Sequence, residues 1–174
     1  MYDYIPSQIK LYYKSKNLNE KLLSSLTEIP IKFGVINGGF LCHGNQLSNL
    51  IGCPDSVVSG FYCYDNQLTS LEGCQERIIG RFICNGNKLT NLERSPKSVG
   101  GNFYCNGNDL TSLSGCPVSV GGDFYCNKNK LTSLECCPIV TGLVNCFRNK
   151  IDESELFLYS YSSDQVRQYY NGND

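Results

Sequence analysis

The chain has 174 residues, with 15 lysine and arginine against 16 aspartate and glutamate, for a formal net charge of −1. That length suits one ordinary domain, and a hydrophobic content of 41% excludes a broadly disordered polymer. The charge balance argues against a dedicated nucleic-acid binder, which needs cationic surface to displace phosphate counterions.

At the N-terminus, Met1 to Lys10 carries no basic segment followed by an apolar core, so no secretory signal is expected. No stretch approaches the roughly 18 consecutive apolar residues of a membrane span. The expectation is a soluble cytoplasmic protein without membrane contact, in which the 11 cysteines stay reduced. Pro6 and Ser7 read as a helix start, with Ile9, Tyr12 and Tyr13 on one face, and residues 17–23 offer a second helical segment. Residues 1–25 are therefore predicted to be a helical N-terminal cap.

From residue 26 to 151 a repeat governs the chain. Phe40, Phe61, Phe82, Phe103 and Phe124 recur every 21 residues. A cysteine follows each by two positions (Cys42, Cys63, Cys84, Cys105, Cys126), then an asparagine (Asn45, Asn66, Asn87, Asn108, Asn129) and a leucine pair, as in Leu110 and Leu113. A further unit arrives one residue early with Val144, Cys146, Asn149 and Ile151, and Leu26 and Ile29 supply a partial leading repeat. Residues 103–122 fit the consensus F-Y-C-N-x-N-x-L-T-S-L-x-G-C-P-x-S-V-G-G closely. The alternation Phe, x, Cys has the period of a strand with both named side chains inward. The asparagine, donor and acceptor at once, is placed to bond the backbone of its own turn and the next. Gly-Gly pairs such as Gly100-Gly101 and Gly121-Gly122 suggest a tight or bulged approach to each strand. Pro54, Pro96, Pro117 and Pro138 favour an extended return.

The run C-N-x-N-x-L-T-S-L resembles the leucine-rich-repeat signature L-x-L-x-x-N-x-L, with Phe and Cys in the first two apolar places. The following C-P-x-S-V is similar to the short return of bacterial leucine-rich-repeat effectors, and cysteine-bearing units of this kind resemble repeats of phage and large-virus proteins. The likeness spans residues 26–151. It implies a leucine-rich-repeat arc, a β-dominated solenoid with one short parallel strand per 21-residue coil. Gln75-Glu76, Ser95 and the shortened last unit depart from the pattern and leave local coil shape open.

A solenoid needs its ends covered. Residues 152–174, with Ser163-Asp164 before Val166, Tyr169 and Tyr170 and a second segment at 154–158, are predicted to form a helical C-terminal cap.

Ten cysteines fall into two columns, the strand column and a second one before the proline (Cys53, Cys74, Cys116, Cys137). Stacked small apolar side chains are the expected role. No close cysteine pair of zinc-binding spacing and only one histidine, His43, are present, so no metal or cofactor is expected. Cys136 alone stands off both columns and is the candidate reactive thiol. No nucleophile–base pair or phosphate-binding loop is found, and no enzyme activity is expected. The residues between inward positions form the candidate partner-binding face. One column runs Leu41, Tyr62, Ile83, Tyr104, Tyr125; the next contributes His43, Tyr64 and Phe147; Arg81, Asp123, Lys128 and Arg148 flank them. Aromatic anchors with a charged rim are what protein interfaces favour, although tyrosine stacking alone also stabilises a sheet. A protein-binding module is expected, and the viral resemblance implies an inhibitor of a host or defence protein. The alternatives are a self-assembling subunit (a homo-oligomer) and a binder of nucleic acid or anionic ligands through Lys128, Lys130, Arg148 and Lys150.

Overall fold

The computed structural model describes residues 26–29, 34–36 and 38–152. They form a parallel β-solenoid. Twelve two-residue strands follow in chain order: β1 (Val35–Ile36), β2 (Phe40–Leu41), β3 (Ser56–Val57), β4 (Phe61–Tyr62), β5 (Arg77–Ile78), β6 (Phe82–Ile83), β7 (Ser98–Val99), β8 (Phe103–Tyr104), β9 (Ser119–Val120), β10 (Phe124–Tyr125), β11 (Ile139–Val140) and β12 (Val144–Asn145). The even-numbered strands stack into one six-stranded sheet. The odd-numbered ones make a second wall, paired as β1-β3 and as the four-stranded β5-β7-β9-β11. Each coil thus contributes two short strands, not the single strand expected. The second pairs through Ser-Val steps such as Ser98↔Ser119 and Val99↔Val120. No helix occurs among the described residues, and the helical caps expected over 1–25 and 152–174 lie outside them apart from Asp152.

Register follows the repeat, so like packs on like: Phe40 pairs Phe61, Phe61 pairs Phe82, and Phe82 pairs Phe103. The five phenylalanines are fully buried in a continuous pile with ring centroids 5.3–5.7 Å apart. Beside them run the strand cysteines, the leucine pairs, and a column of Ile36, Val57, Ile78, Val99 and Val120, all buried. The sulfurs therefore face inward and Tyr62, Tyr104 and Tyr125 outward, as the alternation requires.

The asparagines seal the polar interior. Asn87 Oδ1 accepts from Leu68 N–H (3.0 Å), while its Nδ2 donates to Cys63 O (3.1 Å) and Cys84 O (3.0 Å). Asn66, Asn108 and Asn129 repeat the pattern. Each amide bridges its own coil to the preceding one, the reverse of the expected direction.

Departures from the repeat are absorbed locally. Gln75, in the proline position, is buried; its Oε1 accepts from Val57 N–H (3.2 Å) and its Nε2 donates to Pro54 O (2.9 Å). Ser95, replacing cysteine, donates through Oγ to Gly115 O of the next coil (2.6 Å). The last unit loses its residue just after Pro138, and Ile139 still pairs with Ser119.

The glycine pairs have a different cause from the one expected. Gly100, Gly101, Gly121 and Gly122 do not have positive φ. A Cβ on Gly100 or Gly121 would strike the backbone of the preceding coil, at Ile79 and Gly100 respectively. Close approach of stacked backbones selects glycine there.

Candidate interaction surface

The outward column of the six-stranded sheet places equivalent residues side by side: Leu41, Tyr62, Ile83, Tyr104, Tyr125 and finally Asn145. Successive strands lie about 4.8 Å apart, so six of them make a strip on the order of 25 Å long. Every member of the column is half-buried. The neighbouring coils cause part of that shielding. Tyr104 and Tyr125 stack face to face at 4.5 Å and 3°, and one column over His43 and Tyr64 stack at 4.3 Å and 11°. Tyr62 instead lies over glycine, since a Cβ on Gly60 would meet its hydroxyl at 2.7 Å.

A polar network fixes the tyrosine pair. Asp123 Oδ1 accepts from Leu143 N–H (2.9 Å), and Oδ2 accepts from the Tyr125 hydroxyl (3.2 Å) and Asn102 Nδ2 (3.3 Å). Asn102 Nδ2 also donates to the Tyr104 hydroxyl (3.0 Å), and Asn102 Oδ1 accepts from Asp123 N–H (3.0 Å). Burial, then the adjacent Asp123 carboxylate and Tyr104, push the Tyr125 phenol above its ordinary value. It stays a proton donor near neutrality. Tyr64 shifts the same way, through burial and Asp65.

The remaining expected contact residues divide between the two ends. His43 and Tyr64 sit toward the N-terminal coils. Phe147 and Arg148 sit on the last coil, with the guanidinium 5.7 Å from the Phe147 ring centroid. Tyr104, Asp123 and Tyr125 are brought together, whereas Arg81 is exposed beside the strip. Lys128 and Arg148 are exposed in a column that turns out to be left-handed throughout: Gly44, Asp65, Gly86, Gly107, Lys128 and Arg148 have φ between 52° and 67°. Lys130 pairs with Asp109 at 2.6 Å on the surface, a contact of little energetic weight.

All 11 cysteines are free. Burial pushes the thiols of Cys53, Cys63, Cys84, Cys105 and Cys126 well above their ordinary range, with neighbouring thiols adding to the shift. Cys146, nearer the end, is pushed up to about 11 by burial. Among the described residues, no group of three or more histidine, cysteine, aspartate or glutamate side chains is placed to hold a metal ion. Cys136 is exposed. It lies in a register position after all: the third residue of the turn that Gly52, Gly73 and Gly115 occupy elsewhere, with φ of 64°.

One surface was missed from the sequence. On the second wall Val58, Ile79, Val118 and Ile139 are exposed, the last two at 70% and 73%. A shallow depression of about 430 Å³ lies there between Ile79, Gly100, Gly121 and Ile139. The signal was the second alternation around each Ser-Val step, which sends outward the residues on either side of the inward one: Val58 and Ile79 after it, and Ile139 before it, with Val118 just ahead of the strand.

No protein-family model, no curated protein and no solved structure matches the chain. No helix among the described residues is long and apolar enough to cross a membrane.

Proposed function

We propose that the chain is a protein-binding module whose partner lies along the outward face of the six-stranded sheet, and that its coils are a cysteine-bearing form of leucine-rich repeat. One observation carries the reading. Parallel sheets are ordinarily covered on both faces, yet the outward column from Leu41 to Tyr125 is apolar or aromatic and no layer of described residues lies over it. The stacked tyrosines form a rigid anchor with little rotamer freedom left to lose on binding. Occupying a partner's surface would itself be the activity, as in an inhibitor or adaptor. Buried, reduced thiols support a cytoplasmic setting.

Capture from cell lysate tests the reading. Changing Tyr62, Tyr104 and Tyr125 together to serine, with the fold verified by circular dichroism, is expected to abolish retention of the partner. Retention equal to that of the unaltered chain removes the strand face as the site.

A second reading, self-association, is favoured by the exposed Val118 and Ile139 on the other wall. Solution mass over a concentration series distinguishes the two, since a strict monomer eliminates self-association.

A further inference from the structure

The left-handed column at the strand exit separates the coils chemically. Gly44, Gly86 and Gly107 fill it where only conformation matters. Asp65 has a short polar side chain that tolerates this region. Lys128 and Arg148 have no such reason to be there: both sit at φ of 54°, where a long side chain costs about 1–2 kcal/mol over glycine. They occupy adjacent coils, joined by the Lys128 N–H to Phe147 O bond (2.9 Å). Neither makes an ion pair with a described residue. Lys130 and Lys150 stand two positions further along the same two coils, and of these cations Lys130 alone is neutralised by a described residue, Asp109. Three cations thus share one exposed edge against the C-terminal end of the aromatic strip.

We propose that this edge, formed by Lys128, Arg148 and Lys150 beside Phe147, binds an acidic protein segment, and so sets which partner the strand face accepts. The inference rests on the strand-face reading. Charge complementarity selects a polyanion. The rings select a peptide over a single-stranded nucleic acid. Base recognition requires open aromatic faces, but Tyr104 and Tyr125 cover one face of each other at 4.5 Å, and the adjacent strands place Ile83 and Asn145 beside the opposite faces. Carboxylate side chains on an extended segment need only the cations and an apolar rim.

The test uses the full chain and fluorescence anisotropy of a labelled peptide of alternating glutamate and tyrosine, with oligothymidylate of matched length as competitor. The variant is K128G together with R148G, which installs the residue the same column uses in three other coils. It is expected to melt no lower than the unaltered chain while binding the peptide about tenfold more weakly. Affinity for the unaltered chain is expected to fall as salt rises. R77S, which removes a cation from the second wall and installs the serine of neighbouring coils, is expected to leave binding unchanged. Failure of the peptide to bind, equal binding by the double glycine variant, or tighter binding of oligothymidylate overturns the proposal. If partner capture is lost on changing the tyrosines but is indifferent to the glycine pair, the edge proposal falls and the strand-face reading stands. If the peptide binds through the cations while capture ignores the tyrosines, the strand-face reading falls instead.

Discussion

A single amide decides the integrity of each coil. Asn87 is buried and supplies the acceptor for Leu68 N–H; it shares Cys63 O with Asn66 and Cys84 O with Asn108, and it also donates to Asn85 O at 3.2 Å. Replacing it by alanine leaves Leu68 N–H without its acceptor inside the solenoid and removes one of the two donors at each of Cys63 O and Cys84 O. The expected loss is about 2 kcal/mol, read as a lower urea midpoint. Asn87→Asp should be nearly as damaging, because the carboxylate keeps the acceptor for Leu68 N–H but turns acceptor against acceptor at Cys63 O and Cys84 O. A variant that unfolds like the parent would show that the ladder is not what holds the turn.

At the scale of the element, the turn after each leucine pair is the sharpest feature. Its cysteine or serine N–H bonds back to the leucine carbonyl, as in Cys116 N–H to Leu113 O (2.9 Å), and its third residue has positive φ. Glycine is favoured at that place, yet Arg94 and Cys136 fill it in two coils. Cys136→Gly should therefore raise stability by about 1 kcal/mol and remove the thiol that reacts first with a bulky disulfide reagent. Gly115→Ala should cost more than that gain, because its Cβ would also strike the backbone at Glu93. Thermal melts of both variants check the pair. The inward columns at this scale were legible in the sequence, since a fixed period with alternating polarity leaves one assignment for Phe103, Cys105, Asn108 and Leu110. The second strand was not. Ser98–Val99 is two residues long and runs into glycines that resemble a turn, and what makes it a strand is pairing with coils 21 residues away. For the candidate site, the outward column was legible and its half-burial was not, because the Tyr104–Tyr125 stack depends on side-chain orientations that the repeat does not encode.

The whole molecule carries its thiols as a continuous interior seam, and this gives stability a direction with pH. In the unfolded chain each thiol ionises near the ordinary value of 9.0, whereas in the folded chain Cys63, Cys84, Cys105 and Cys126 hold their protons well above it. Above that value the unfolded state binds fewer protons than the folded one, so stability falls as pH rises. The contribution is complete below the ordinary value; that of Cys146 is lost between there and about 11, and the deeper thiols continue the decline beyond. Tyr64 and Tyr125 act in the same sense. Urea midpoints should be flat through about pH 7–8 and drop steadily by about pH 10. A flat profile to that point would mean the sulfurs are not sealed. The backward reach of each asparagine has another consequence, in time rather than in energy. A coil leaving the ribosome finds one carbonyl and the N–H its amide requires already present in the turn made just before it, so each new asparagine closes the coil behind it, while its own leucine N–H, as at Leu89, stays open until the next asparagine is translated.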